Sequence, residues 1–212
     1  EDKEIAVKLA TVYSTKKLSE LQKEKVSPAI GVEDSDFIKI RFNRIPPKLI
    51  KNQVENVIIT SQNGVEALLN SFTKEQLNFK NIFCVGRRTK KLIQQKIGPV
   101  NHAEKNAEKL AEYLSKEMKG NNVTYFCSDL RLDTLSKILS ENKIKVNEVE
   151  AYKTMYSPDV VPENAGGVLF YSPSAVVSYL QKNTTDKVAF CIGASTAKEA
   201  KKHFEKVEVA QL

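Results

Sequence analysis

The residues best suited to chemistry in this chain sit in short turns, where an apolar run gives way to small and hydroxyl residues. Ser61-Gln62-Asn63-Gly64 follows Val57-Ile-Ile-Thr60, and Ser172-Pro173-Ser174 follows Val168-Leu-Phe-Tyr171. Gly86-Arg-Arg-Thr89 follows Phe83-Cys-Val85, and Gly193-Ala-Ser-Thr196 follows Phe190-Cys-Ile192. Ser14 and Ser128 end two further runs, Val12-Tyr13-Ser14 and Phe126-Cys127-Ser128. An apolar run, a tight turn and an amphipathic segment together read as a buried parallel strand leading into a helix start. Such a turn offers unsatisfied backbone N–H groups and the positive end of a helix dipole, which together favour an anion. A serine or threonine there also has a structural use as a helix cap, worth about 1 kcal/mol. The residues alone leave both uses open. None of the turns is a P-loop or a Gly-x-Gly-x-x-Gly, so phosphate is not singled out among anions.

Stronger chemistry is not in view. There is no Ser-His-Asp pattern and no evident pair of carboxylates. Cys84, Cys127 and Cys191 are odd in number and end apolar runs, which reads as buried thiols in a reducing compartment rather than a disulfide framework. His102 and His203 stand far apart, and no Cys-x-x-Cys or His-x-x-x-His spacing exists to hold zinc. Tyr152 lies in an alternating run, where a tyrosine is ordinarily half-buried packing. A reaction here would rest on positioning and hydrogen bonds rather than on a strong base.

Composition bounds the partner. The 212 residues carry a net charge of +7, with 41% apolar and 28% charged residues, which describes a globular protein of one large or two small domains. No apolar run approaches the roughly 18 residues of a membrane span. The basic residues are scattered and no zinc-finger or RNP motif is present, so nucleic acid is disfavoured, and the charge alone leaves open a polyanionic small ligand and a basic solvated surface that binds nothing.

Behind these turns stands an order of elements. Val57-Ile-Ile-Thr-Ser echoes Val168-Leu-Phe-Tyr-Ser, Phe83-Cys-Val-Gly echoes Phe190-Cys-Ile-Gly, and Val12-Tyr-Ser echoes Phe126-Cys-Ser, at nearly equal offsets of 111, 107 and 114 residues. One α/β unit therefore occurs twice, with strands and helices alternating as in parallel sheets. The third echo gives the middle copy's run at 126–128 its counterpart at the beginning of the chain, so the beginning and the last part make up one copy and the other is inserted in it. The expected layout is two flavodoxin-like parallel α/β domains. Residues 1–35 with 156–212 form a discontinuous domain and residues 44–146 an inserted one, while residues 36–43 and 147–155 form a two-stranded bridge. Alternation along the second bridging run puts Glu150, Tyr152 and Thr154 on one face. Ser14 or Thr15 is expected to cap the first helix, Ile45-Pro-Pro to be a connector, and the last helix to span 197–204. Strands are expected at 5–13, 26–32 and 98–102. The ligand is expected in the cleft between the domains, at the carboxyl ends of the strands.

The ordered set of turns resembles the uroporphyrinogen-III synthases. The matching pieces are Ile58-Ile-Thr-Ser-Gln-Asn-Gly-Val65, Val85-Gly-x-x-Thr89, Val149-Glu-Ala-Tyr152-Lys-Thr154, Leu169-Phe-Tyr-Ser-Pro-Ser-Ala-Val176 and Ile192-Gly-Ala-Ser-Thr196-Ala197. They run in the family's order over most of the chain. The resemblance implies closure of the linear tetrapyrrole hydroxymethylbilane to uroporphyrinogen III, with inversion of the last pyrrole ring and loss of water, without metal or organic cofactor. It implies a small-molecule substrate with eight carboxylates, and a monomer in the cytoplasm that binds neither nucleic acid nor membrane. Tyr152 matches the family's cleft tyrosine, the catalytic candidate that assists departure of the hydroxyl. Thr89 and Thr196 match its Gly-x-x-Thr positions, and Ser61 and Ser172 its strand-tip serines. With them Ser14, Gln62, Asn63, Ser128 and Ser174 make up the expected substrate-binding set. The chain departs from the family at Tyr13-Ser14-Thr15, where Thr-Arg-Pro is common. The alternative function class is a non-catalytic two-domain binding protein for a small polyanion, and a weaker one is a flavin carrier.

Overall fold

A computed structural model describes residues 11–26, 31–51 and 54–210. The chain begins with β1 (Thr11–Ser14), α1 (Glu20–Val26), β2 (Gly31–Asp34) and β3 (Ile38–Phe42). The middle section contains α2 (Pro47–Lys51), β4 (Asn56–Ile59), α3 (Gln62–Ser71), β5 (Asn81–Val85), α4 (Arg87–Lys96), β6 (His102–Glu104), α5 (Ala107–Glu117), β7 (Asn122–Ser128), α6 (Thr134–Glu141) and β8 (Lys145–Tyr156). The last section is β9 (Gly167–Phe170), α7 (Pro173–Tyr179), β10 (Val188–Ile192), α8 (Ala194–Ala200) and β11 (Val207–Ala210).

The chain divides into two compact units, one of residues 1–39 with 155–212 and one of residues 40–154. Among the described residues, the discontinuous unit holds a five-stranded sheet in the order β11-β10-β9-β1-β2, and the other a six-stranded sheet in the order β3-β8-β7-β4-β5-β6. The neighbours β1–β2, β1–β9, β9–β10 and β10–β11 are parallel, as are β4–β5, β4–β7, β5–β6 and β7–β8. The fold class is therefore α/β with parallel sheets.

The echoes explain the two orders. Val57 with Val168, Phe83 with Phe190 and Val12 with Phe126 equate β4 with β9, β5 with β10 and β7 with β1. The five strands β8-β7-β4-β5-β6 then correspond one for one to β2-β1-β9-β10-β11. Spatially the sheets are the same. Along the chain, one is a circular permutation of the other, because the insertion follows its second strand. Numbered by chain order, the discontinuous unit reads 2-1-3-4-5, the flavodoxin order, whereas the inserted one reads 3-2-1-4-5.

The alternating runs do pair. Asn43 N–H donates to Ala151 O at 2.9 Å and Ser157 N–H to Phe37 O at 2.8 Å, partners that run in opposite senses, so β3 is antiparallel to β8. β8 is also paired to β7 along its first half, so β3 closes an edge of the six-stranded sheet and the pair is not a free-standing ribbon.

Every residue of β4 and of β9 is buried, as continuous apolar strands covered on both faces must be. One face of the inserted sheet packs Val57, Ile59, Leu68, Phe126 and Tyr152, and the other packs Ile58, Phe83, Leu110, Leu114 and Tyr125. The discontinuous unit gathers Phe170, Tyr179 and Phe204, with ring centroids 5.3–5.7 Å apart.

Several local expectations are corrected. The first helix is capped by Ser19, not Ser14 or Thr15. Gln22 N–H donates to Ser19 Oγ at 3.3 Å and Ser19 N–H to Gln22 Oε1 at 2.9 Å, a reciprocal capping box. Ser14 and Thr15 finish the strand instead, with Thr15 Oγ1 donating to Leu169 O at 2.8 Å. Pro47 opens α2 rather than extending a connector, because the first helical position needs no N–H. α8 begins three residues before the expected start, directly after Gly193. The third strand of the inserted unit is His102–Glu104 rather than 98–102. Of the strands expected at 5–13 and 26–32, residues 5–10 and 27–30 lie outside the described residues.

Candidate active site

The carboxyl ends of adjacent strands bring the expected residues into two similar rows. In the inserted sheet, β7, β4 and β5 end near Ser128, Ser61 and Thr89, and β8 reaches this row at Tyr152, its last residue paired with β7. In the discontinuous sheet, β1, β9 and β10 end near Ser14, Ser172 and Thr196. The expected set is thus distributed over both units, at equivalent places.

Ser61 is fixed by its role as N-cap. Its Oγ accepts Gly64 N–H at 3.1 Å, and its counterpart Ser172 accepts Ala175 N–H at 3.2 Å. Ser172 also lies 3.5 Å from Ser174 Oγ, and Pro173 takes the first helical position. Ser61 differs from Ser172 in its second partner, the phenol oxygen of Tyr152 at 2.7 Å. The pair carries two hydroxyl protons and needs one for their mutual bond, and Ser128 is a further hydrogen-bond partner of the phenol. Tyr152 is 7% exposed. Burial raises the phenol's pKa, with the Ser61 hydrogen bond opposing it, so the phenol keeps its proton at neutral pH.

A β-bulge aims this tyrosine. Cys127 pairs with Glu150 and the next residue, Ser128, pairs with Tyr152, so β8 has one residue more than β7 at this point. Consecutive residues of β7 point to opposite faces, so Tyr152 shares a face with Ser128 and Glu150 does not. The expected common face of Glu150, Tyr152 and Thr154 is therefore wrong. Ala151 and Tyr152 are both buried in one cluster, whereas Glu150 is exposed, accepts Asn43 Nδ2–H at 3.1 Å and pairs with Lys153 at 3.6 Å. Asp129 holds the bulge: its Oδ1 accepts Ser128 Oγ–H at 2.9 Å and Thr154 N–H at 3.0 Å.

The equivalent place in the other sheet is different. Ser14 pairs with Asp34 as Ser128 pairs with Tyr152. Asp34 accepts Leu18 N–H at 2.8 Å and lies 3.4 Å from Lys23 Nζ. Only one of the two duplicated strand tips has a phenol.

Thr89 and Thr196 are not caps. They are the third residues of α4 and α8, 6% and 1% exposed, and the cap positions belong to Gly86 and Gly193. Both glycines have φ near +85° to +89° with extended ψ, a region open essentially to glycine alone. Neither helix start receives a side-chain cap. Ser14 and Ser128 are engaged locally, Ser14 donating to Lys16 O at 2.6 Å and Ser128 accepting Leu130 N–H at 3.1 Å. Gln62 and Asn63 are the first two residues of α3, and their side chains make no hydrogen bond among the described residues.

Burial raises the thiols of Cys84, Cys127 and Cys191 to about 11, so they stay protonated and unreactive. Among the described residues, no group of His, Cys, Asp or Glu could hold a metal ion, and no helix is long and apolar enough to cross a membrane. A cavity of about 500 Å³ lies at the opposite, amino ends of β4, β7 and β8, lined by Asn56, Asn122, Lys145 and Asn147, and none of the expected residues reaches it. Thr60, Tyr125 and Asp129 were not among the expected residues. Thr60 stands in the quoted Ile58-Ile-Thr-Ser piece, and Asp129 directly follows a residue of the set. Tyr125 has no sequence signal beyond an apolar strand.

Among solved structures with this fold is the uroporphyrinogen-III synthetase of Helicobacter pylori, with a TM-score of 0.66 at 14% identity over 94% of this chain and 92% of that one. Another is a mutant uroporphyrinogen III synthase from Thermus thermophilus, with a TM-score of 0.64 at 13% identity over 96% and 94%. At such identities the likeness speaks for the fold. The sequence itself carries the relationship further, because the family model described as uroporphyrinogen-III synthase HemD matches residues 26–211. With nearly its whole length inside one family, the chain belongs to the uroporphyrinogen-III synthases, the cyclising lyases that act on a tetrapyrrole in haem biosynthesis.

Proposed function

We propose that Tyr152 and Ser61 act as one hydrogen-bonding device in closing hydroxymethylbilane to uroporphyrinogen III, and that the strand-tip turns of each unit hold the substrate's carboxylates. The observation that carries this is the 2.7 Å contact between the two hydroxyls, in a buried place where the phenol stays protonated. Departure of the substrate's hydroxyl as water requires a proton on that oxygen. A donor aimed at it stabilises the charge that builds as the C–O bond lengthens. Ser61 already accepts from Gly64, and in this reading it donates to the phenol oxygen, so that the phenol's own proton can turn to the leaving group. The cation so formed is attacked by the substituted carbon of the last ring, and fragmentation and reclosure invert that ring. Those bonds belong to the substrate, and the protein's part is to hold its two ends in reach.

The carboxylates are held by turns rather than by a cluster of cations. Gln62 and Asn63 offer side-chain amides. Thr89 and Thr196 lie in the first turns that Gly86 and Gly193 open, where the helix amides lack a side-chain cap. Ser14, Ser128, Ser172 and Ser174 shape their turns, and neighbouring N–H groups make the contacts. A net charge of +7 favours the approach of a polyanion. Three free cysteines support a reducing compartment such as the cytoplasm. The reading needs no cofactor and no second chain. It is tested by incubation with freshly generated hydroxymethylbilane and separation of the type I and type III products. Type III as the main product supports it. Type I alone, at the rate of a control without protein, overturns it.

A further inference from the structure

Two phenols, not one, reach the turn after β4. Tyr125 of β7 is 5% exposed, and its oxygen lies 3.1 Å from Thr60 Oγ1. Thr60 directly precedes Ser61. Tyr125 packs among Ile58, Phe83 and Leu110, whereas Tyr152 packs among Val57, Ile59 and Phe126, so the two rings approach from opposite faces of the sheet. Each ends on a hydroxyl of the same dipeptide.

We infer that Tyr125 is a positioning residue: by holding Thr60 from one face, it fixes the turn so that Ser61 stays in hydrogen-bond reach of Tyr152 on the other. This rests on the proposed role of Tyr152. A hydroxyl buried among apolar side chains carries a desolvation cost unless it has a partner, and phenylalanine would fill the same space without that cost. A tyrosine at this position is therefore accounted for by what its oxygen holds. Burial pushes the phenol up to about 12, so it remains a neutral hydrogen-bonding group across the working range. Thr60 and Ser61 join the end of β4 to the start of α3, and the cap bond from Gly64 N–H to Ser61 Oγ restrains only the helix side. The Thr60–Tyr125 bond restrains the strand side.

The test uses the full chain and the isomer-resolved assay. Tyr125→Phe keeps the ring and removes only the bond to Thr60. The expected result is a fall in kcat for the type III product of about three- to ten-fold, with KM and melting temperature unchanged, the size of one displaced hydrogen bond. Thr60→Val, which removes the same bond from the other side, should match it in kcat but melt lower, because the buried Tyr125 hydroxyl then lacks its partner, and Thr60→Ser should retain wild-type kcat. On a Tyr152→Phe background, Tyr125→Phe should cause no further loss, because the group it positions is gone. Wild-type kcat in Tyr125→Phe, or a loss that simply multiplies that of Tyr152→Phe, overturns the positioning role while leaving the proposed function standing. Failure of the wild-type protein to form the type III isomer would instead remove the proposed function, and this inference with it.

Discussion

The hydroxyl oxygens of Tyr152 and Ser61 lie 2.7 Å apart although 91 residues separate them in the chain. Three local features make this possible. Ser61 is pinned as the cap of α3, a bulge in β8 turns Tyr152 to the Ser128 face, and Asp129 fastens that bulge by bonding Thr154 N–H.

Ser61→Ala removes two bonds at once. Loss of the cap costs about 1 kcal/mol, which will appear as a lower denaturation midpoint. Loss of the Tyr152 partner lowers kcat. Combined with Tyr152→Phe, the two effects on kcat will be strongly non-additive, since both act on one device. A double-mutant cycle measures this, and simple multiplication of the two losses would show that the residues act separately.

Gly86 and Gly193 are held by backbone conformation, not by lack of space. No atom lies within 4 Å of a Cβ added at either, yet both have positive φ with extended ψ. Gly86→Ala and Gly193→Ala are each expected to destabilise by about 1–3 kcal/mol. Gly98→Ala, equally free of neighbours and without positive φ, should change stability by less than about 0.5 kcal/mol. Chemical denaturation of the three variants separates strain from crowding.

Much of the fold could be read from the echoes, because a buried parallel strand is a short apolar run whose ends are marked by turn residues. The strand equivalences, and with them the permutation, follow from Val12, Val57 and Phe83 and their partners. The bulge at Tyr152 could not be read, since an extra residue leaves an alternating pattern intact and shows only in pairing with β7. Of the two uses open to Thr89 and Thr196, capping is not taken, because glycine opens each helix without a side chain. The Ser19 cap was passed over for Ser14 and Thr15, although Ser19-x-x-Gln22 is a reciprocal box. Ser61 and Tyr152 came from short pieces of sequence, but their contact depends on two strands meeting. Tyr125 was invisible for the same reason.

The ion pair of Arg131 with Glu148, which also accepts from Ser136, gives the fold an acid-sensitive component. The Arg131 hydrogen bond holds the Glu148 carboxyl below the ordinary glutamate value. A lowered folded-state pKa means that this contribution is fully present above the unfolded pKa and is lost as pH falls through the folded one. Stability of the wild type should therefore drop on acidification below the usual glutamate range. Glu148→Gln should be less stable at neutral pH and show a shallower acid limb, which thermal melts over a pH series would record.

A substrate with many carboxylates meeting a chain of net charge +7 should bind less tightly as salt rises. KM is expected to increase between low and high ionic strength while kcat changes little. A KM independent of salt would contradict the polyanion reading.

The most direct measurement is the rate of type III formation by Tyr152→Phe. The substitution keeps the buried ring and removes only the phenol donor, so melting should stay near that of the wild type. The expected fall in kcat is roughly ten- to a thousand-fold, about 1.4–4 kcal/mol of transition-state stabilisation, with residual turnover from positioning alone. Type III formation by Tyr152→Phe at the wild-type rate would contradict the account and leave the tyrosine a packing residue.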